Sequence, residues 1–161
     1  MARDTERSES TTRAWTGAVA GGLLLGAASG LRSQTGSSLV VLLGGDQGLP
    51  SFLRARPVRV AFALAMVGEF IADKLPQAGS RLAPGALGAR LVLGGAAAGQ
   101  RAWCRRRPVV PAVLAGSLAA LGAAKAGYEL RARLATKLPD PAVALAEDGV
   151  AAGLALAGLQ A

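Results

Sequence analysis

The sequence contains no histidine, a single cysteine, and in 161 residues only three Phe, two Trp and one Tyr. Without histidine, no side chain titrates near neutrality in its ordinary state, which removes the usual general base, the commonest zinc ligand and triads built on imidazole. Cys104 alone cannot form an internal disulfide or a CxxC pair, so cysteine usage leaves the redox compartment open. The scarcity of aromatics also bears on the net charge of +8. Basic residues are not interleaved with rings that stack on bases, so no nucleic-acid partner is indicated. Lys and Arg stand instead in short clusters between apolar runs, the pattern of membrane-protein loops and lipid-headgroup contacts.

What is present is small and apolar. The chain is 52% hydrophobic, and that mass is Ala, Leu and Val with 22 Gly. Soluble cores of this length rely on large side chains, whereas membrane helices use Gly and Ala to bring backbones close. The expected fold is all-α, a polytopic transmembrane helical bundle of five to six membrane segments.

Met1 to Arg13 mixes Arg with Asp and Glu, has no apolar run, and reads as a disordered N-terminal tail ahead of a single transmembrane domain over 14–161. Ala14 to Leu31 follows with 18 uncharged residues, enough for a first retained span. Gly22, Gly26 and Gly30 fall at four-residue steps within it, so they share one helix face and suit close packing on a neighbour or a second copy. Ser38 to Gly45 is apolar but too short to span alone. Continued through Phe52 and Leu53, it makes a broken or re-entrant segment.

Val60 to Leu75 is apolar until Glu69 and Asp73, which lie four residues apart and therefore on one face. Each large apolar residue there favours insertion by roughly 0.3–0.6 kcal/mol, and one central charge costs roughly 2.5–3.5 kcal/mol. Glu69 alone therefore offsets most of the helix, and must be protonated, paired with a cation or held in a wet cavity. Glu69 is expected to face the bundle interior. Gly85 to Trp103 encloses Arg90, which either snorkels or serves as counter-ion to a buried acid. Arg101 and Arg105 to Arg107 form the densest basic cluster, in which Arg105, Arg106 and Arg107 are a candidate site for anionic lipid. Pro108 to Ala124 is uncharged across 17 residues, and Lys125 and Glu129 beyond it are spaced to pair. The last run, Pro141 to Ala161, carries Glu147 and Asp148, and its Gly149 and Gly153 extend a small-residue face that makes a homodimer an option.

Five spans divide Lys and Arg evenly between the two sides, whereas six place the excess with both termini, which would then be cytoplasmic. Six segments split into two halves of three, each third segment carrying paired acids. Halves with an odd number of crossings lie with opposite topology, an arrangement found in secondary transporters.

Four stretches, GLRSQTG at Gly30 to Gly36, GEFIADKLP at Gly68 to Pro76, GARLVLGGAAAG at Gly88 to Gly99 and ALAEDGVA at Ala144 to Ala151, resemble the motifs of domain-of-unknown-function family 4126. The resemblance runs from about Gly26 to Gly158. It implies a small bacterial multipass protein of the cell membrane and draws attention to Arg32, Glu69, Asp73, Lys74, Pro76, Arg90, Lys125, Arg131, Glu147 and Asp148. Ala144 stands where serine is common in that family. The family supplies no activity and no cofactor.

Three functions fit these residues. In a small transporter or channel-like protein, Glu69, Asp73, Glu147 and Asp148 bind protons or cations while Arg32, Lys74, Arg90, Lys125 or Arg131 act as exchange partners. In a scaffold, the same charges form interhelical ion pairs that fix packing. A membrane enzyme acting on lipid phosphates would hold a divalent cation on the acids, but the nucleophile and histidine patterns of intramembrane hydrolases are missing.

Overall fold

The computed structural model describes residues 2–45, 48–72, 83–134 and 139–161, and all the regular structure in them is helical. The elements are α1 (Ala2–Leu31), α2 (Thr35–Leu43), α3 (Ser51–Arg54), α4 (Arg56–Ala72), α5 (Pro84–Cys104), α6 (Val109–Leu134) and α7 (Asp140–Gln160). Asp73, Lys74 and Pro76 lie outside the described residues. Three helical stretches are long and apolar enough to cross a membrane, Thr5–Leu31, Val109–Leu134 and Pro141–Gln160, which is the make-up of a membrane protein. The short run after Arg32 is the nine-residue α2, about 14 Å long at 1.5 Å per residue.

The segment read as a disordered tail is helical, because α1 begins at Ala2. Its hydroxyls close local bonds that continue the helix: Thr11 Oγ1 donates to the carbonyl of Arg7 at 2.9 Å, Thr12 Oγ1 to Ser8 at 3.0 Å and Thr16 Oγ1 to Thr12 at 3.0 Å. Glu9 and Arg13, four apart with the acid first, favour the same conformation. Residues 5–13 are exposed.

α1 is the axis of the bundle. It packs against α6 most closely, then α5 and α7, while α2 fits between α4, α5 and α7. The seam between α1 and α6 is made of small residues on both sides. A Cβ added to Gly22 would stand 2.6 Å from the Ala112 carbonyl oxygen, at Gly26 2.1 Å from that of Gly116, and at Gly30 2.3 Å from that of Ala120. Each step of four on α1 thus meets a step of four on α6, and backbone touches backbone. Gly116 in turn lies against α5, where its Cβ would be 2.6 Å from the Gly94 carbonyl oxygen. Dispersion between closely approaching backbones holds such a seam without large side chains. Gly149 and Gly153 differ: both are exposed, and a Cβ at either would meet nothing within 4 Å. Their face of α7 packs on none of the described residues.

Gly17, midway along α1, meets Arg107 just before α6, and Leu31 at the end of α1 meets Gly127 near the end of α6, so α1 and α6 run the same way. Gly158 at the end of α7 lies on Leu24 and Leu25, so α7 runs against α1. α4 hangs on α2 by polar rungs. Arg59 Nη2 donates to the Leu42 carbonyl at 2.7 Å, and the Ser38 hydroxyl donates to the Phe62 carbonyl at 3.1 Å. Its outer face, Val60, Leu64, Val67 and Ile71, is exposed and apolar.

Candidate functional site

At the far end of α1 the chain turns back into α2 across Arg32, Ser33 and Gln34, and charges from three other helices gather there. Arg32 is 2% exposed although it carries the longest cationic side chain. Its Nη2 lies 2.5 Å from Asp148 Oδ1, and its guanidinium sits over the Phe70 ring at 5.7 Å. The ring face supplies a second, quadrupolar partner to the cation. Glu147 and Asp148 are neighbours on α7, so they point about 100° apart around the helix. One consequence is that they serve different helices: Asp148 reaches α1, while Glu147 Oε2 stands 3.5 Å from Arg131 Nη1 on α6.

Glu69 is expected from sequence to need a cation, a proton or water; it has backbone amides instead. The N–H of Ser33 donates to Oε1 at 2.7 Å and the N–H of Gln34 donates to Oε2 at 2.8 Å. These amides precede the first turn of α2, whose N-cap residue Gln34 makes no side-chain cap bond of its own. A carboxylate from α4 therefore occupies the anion position that the amides and dipole of a helix N-terminus create. Beside it the Ser29 and Thr35 hydroxyls are buried and find no hydrogen-bond partner among the described residues. Burying hydroxyls unpaired is unfavourable by about 1–3 kcal/mol each. Polar groups at this turn thus exceed what the packing alone uses.

Arg90 is buried on α5, one turn before Gly94, which abuts Gly26 of α1. The same stretch of α5 takes a bond from α2, with Ser37 Oγ donating to the Leu93 carbonyl at 3.2 Å. Lys125 and Glu129 are both exposed on α6. Beyond the end of α1, α6 and α7 continue and enclose a cavity of 130 Å3 lined by Leu31, Leu130, Val143 and Val150, with Arg131 and Glu147 on its wall. No group of three or more His, Cys, Asp or Glu able to hold a metal occurs among the described residues.

The opposite end of the bundle is held by arginines on carbonyls, a feature the sequence reading did not assign. Arg101, 8% exposed, donates to the Gly44 carbonyl at 3.1 Å and to that of Leu159. Arg105 donates to Leu159 at 3.3 Å, and Arg107 to the Ala161 carbonyl. Helices leave their last carbonyls without intrahelical donors, and cations near a C-terminus also suit the dipole. The signal available in sequence was a run of arginines, Arg101 and Arg105 to Arg107, with no acid near it in the chain to pair with.

Removing the Glu69 charge while keeping its shape tests the α2 cap. Glu69→Gln retains one acceptor and loses the other, so α2 should lose about 1–2 kcal/mol. Amide exchange at Ser33 and Gln34 should accelerate while exchange in the α1–α6 seam stays unchanged. Equal acceleration in both places would mean that Glu69 acts on the whole bundle and not on this turn. Comparison with protein-family models, with curated proteins and with solved structures yields no match.

Proposed function

We propose that this chain is a small multipass membrane protein of the transporter or channel-like kind, in which Glu69, Glu147 and Asp148 are proton or cation sites and Arg32 and Arg131 are their exchange partners. The observation that carries this reading is the Glu69 carboxylate on the amides of Ser33 and Gln34, at a helix that starts inside the protein. Interrupted helices with polar backbone turned inward are tolerated at membrane depth only where protein or a cavity covers them, and transporters place binding sites at such breaks. A carboxylate held there by backbone dipoles can be exchanged for another anion, or released by protonation, without breaking a covalent or packed structure. α4, attached to α2 largely by polar rungs, would then move.

The same proposal takes α2, α4 and α5 as membrane-embedded beside the three longer helices, giving the five to six segments expected from sequence. It takes α1, α2 and α4 as one half and α5, α6 and α7 as an inverted second half. The reversal of direction between α1 and its counterpart α5, where Gly94 lies on Gly26 and Ala102 clusters with Ala18, supports that pairing. Membership of domain-of-unknown-function family 4126 and residence in a bacterial cell membrane with cytoplasmic termini belong to the same proposal, resting on the four sequence motifs.

The scaffold reading has one specific observation in its favour: Asp148, Glu147 and Glu69 all have partners within the chain. Single cysteines at 69, 147 and 148 in a Cys104→Ser background separate the two. In the transporter reading, a membrane-impermeant thiol reagent labels these positions from one side, and labelling falls as Na+, K+ or protons are added. Absence of labelling from both sides, with loop controls reacting, would leave the scaffold. Purified protein in vesicles with an entrapped pH dye gives the second readout, since the exchanged pair Arg32→Asp with Asp148→Arg should fold yet carry no flux.

A further inference from the structure

We infer that the turn joining α5 to α6 is a headgroup site for an anionic phospholipid, with an acyl chain lying along the outer face of α6. The inference rests on membrane residence alone and is independent of transport.

The turn is short and sharply reversed. Arg106 has φ of +54°, a left-handed conformation that strains a residue with a Cβ by about 1 kcal/mol. Gly48, itself at φ +78°, brings the preceding loop onto the same turn, where a Cβ would stand 2.8 Å from the Cys104 Cα. The two together form a cup of 660 Å3 lined by Trp103, Arg105, Arg106, Arg107 and Val109. Phosphate suits this lining because guanidinium groups offer planar, paired donors and lose less hydration than ammonium groups do. Arg107 is engaged with the Ala161 carbonyl and Arg105 reaches Leu159 at 3.3 Å, but the Arg106 side chain is exposed and bonded to no described residue. No carboxylate among the described residues pairs with any of the three.

Two further features choose a lipid over a soluble anion. Trp103 is 65% exposed, and an indole beside basic groups is the side chain favoured at headgroup depth. Val110, Leu114 and Leu118 recur at four-residue steps, are 58–69% exposed and begin where the cup ends, on a helix long and apolar enough to span. Charge and apolar stripe thus follow one another in the order of a phospholipid, phosphate first and chain after.

The test uses the full chain with Trp15→Phe, leaving Trp103 as the sole indole, in vesicles of phosphatidylcholine with a minor share of phosphatidylglycerol. Brominated chains are placed on one lipid or the other, and quenching of Trp103 reports which lipid is adjacent. Brominated phosphatidylglycerol should quench several-fold more per molecule than brominated phosphatidylcholine, at about fivefold per engaged arginine. Arg106→Gln, which removes no described intramolecular bond, should lower the preference about fivefold, and Arg106→Lys should retain part of it. Raised salt should weaken it. Equal quenching by both lipids, or a preference unaltered in Arg106→Gln, overturns the inference. Loss of the preference on adding millimolar inorganic phosphate also overturns it, since the cup would then be a site for free anions. Flux in the same vesicles is read separately, so a failed transport assay leaves this result standing.

Discussion

Replacing Arg32 by methionine is expected to lower stability by about 3–5 kcal/mol, the range for removing one partner of a buried ion pair. The side chain is 2% exposed and its Asp148 partner 17%, so the carboxylate left behind has little water to turn to. Methionine fills much of the same volume, which separates the electrostatic loss from a cavity. The paired variant Arg32→Met with Asp148→Leu should regain most of that stability, because two apolar side chains replace an ion pair with no charge stranded. A coupling of about 2 kcal/mol or more between the two sites would follow, as expected for residues in direct contact. Arg131→Met is the internal comparison. Its pair with Glu147 is longer, at 3.5 Å, and Arg131 is 21% exposed, so about 1 kcal/mol or less is expected there. Thermal unfolding of these three variants and of Asp148→Leu alone, purified in a mild detergent, measures all four. Arg32→Met melting no lower than Arg131→Met would mean that the pair with Asp148 is wet and weak.

The reach of sequence reasoning differs between these groups for a physical reason. Charge inside an apolar run is visible in one dimension, so Arg32, Glu69, Arg90, Glu147 and Asp148 could be nominated. Their partners are set in three dimensions. Lys125 and Glu129 have the spacing of a helix pair and are both simply exposed, because water solvates them at no cost. Sequence leaves Glu69 a proton, a cation or water as its remedy, and in the structure it accepts from the amides of Ser33 and Gln34. Backbone donors carry no sequence signature of their own. The GLRSQTG stretch marks a turn after a helix, but nothing in it says that a carboxylate 35 residues later will cap the helix beyond. Arg101, Arg105 and Arg107 on the carbonyls of Leu159 and Ala161 were out of reach for the same reason. Polarity in residues 1–13 argues against a packed core, but a polar segment joined to an apolar helix continues it with no new nucleation, and α1 begins at Ala2.

Glycine spacing carries a parallel lesson, and it yields the second large effect. Gly26→Ala should destabilise the bundle by about 3 kcal/mol, the upper end of overpacking costs. Its new methyl would meet the Gly116 carbonyl oxygen at 2.1 Å and the Gly116 Cα at 2.6 Å. Both are backbone atoms, so no rotamer can relieve the clash and α1 must move away from α6. That movement also opens the contacts of Gly22 with Ala112 and of Gly30 with Ala120, because the three lie on one straight face. Gly149→Ala and Gly153→Ala have the same spacing and the opposite expected sign. Nothing within 4 Å opposes their methyl groups, and alanine is favoured over glycine in a helix by about 0.8–1 kcal/mol. Each should therefore raise the melting temperature of the monomer. Should α7 meet a second copy through this face, the bulkier Gly149→Leu would reduce the cross-linked dimer in membranes while leaving monomer stability intact, since closeness there is required only by a partner. A melting temperature in Gly26→Ala equal to that of the parent would show that α1 and α6 are not in backbone contact at Gly116. The axis that brings Arg32 to Asp148 would then have to be held by the charges themselves.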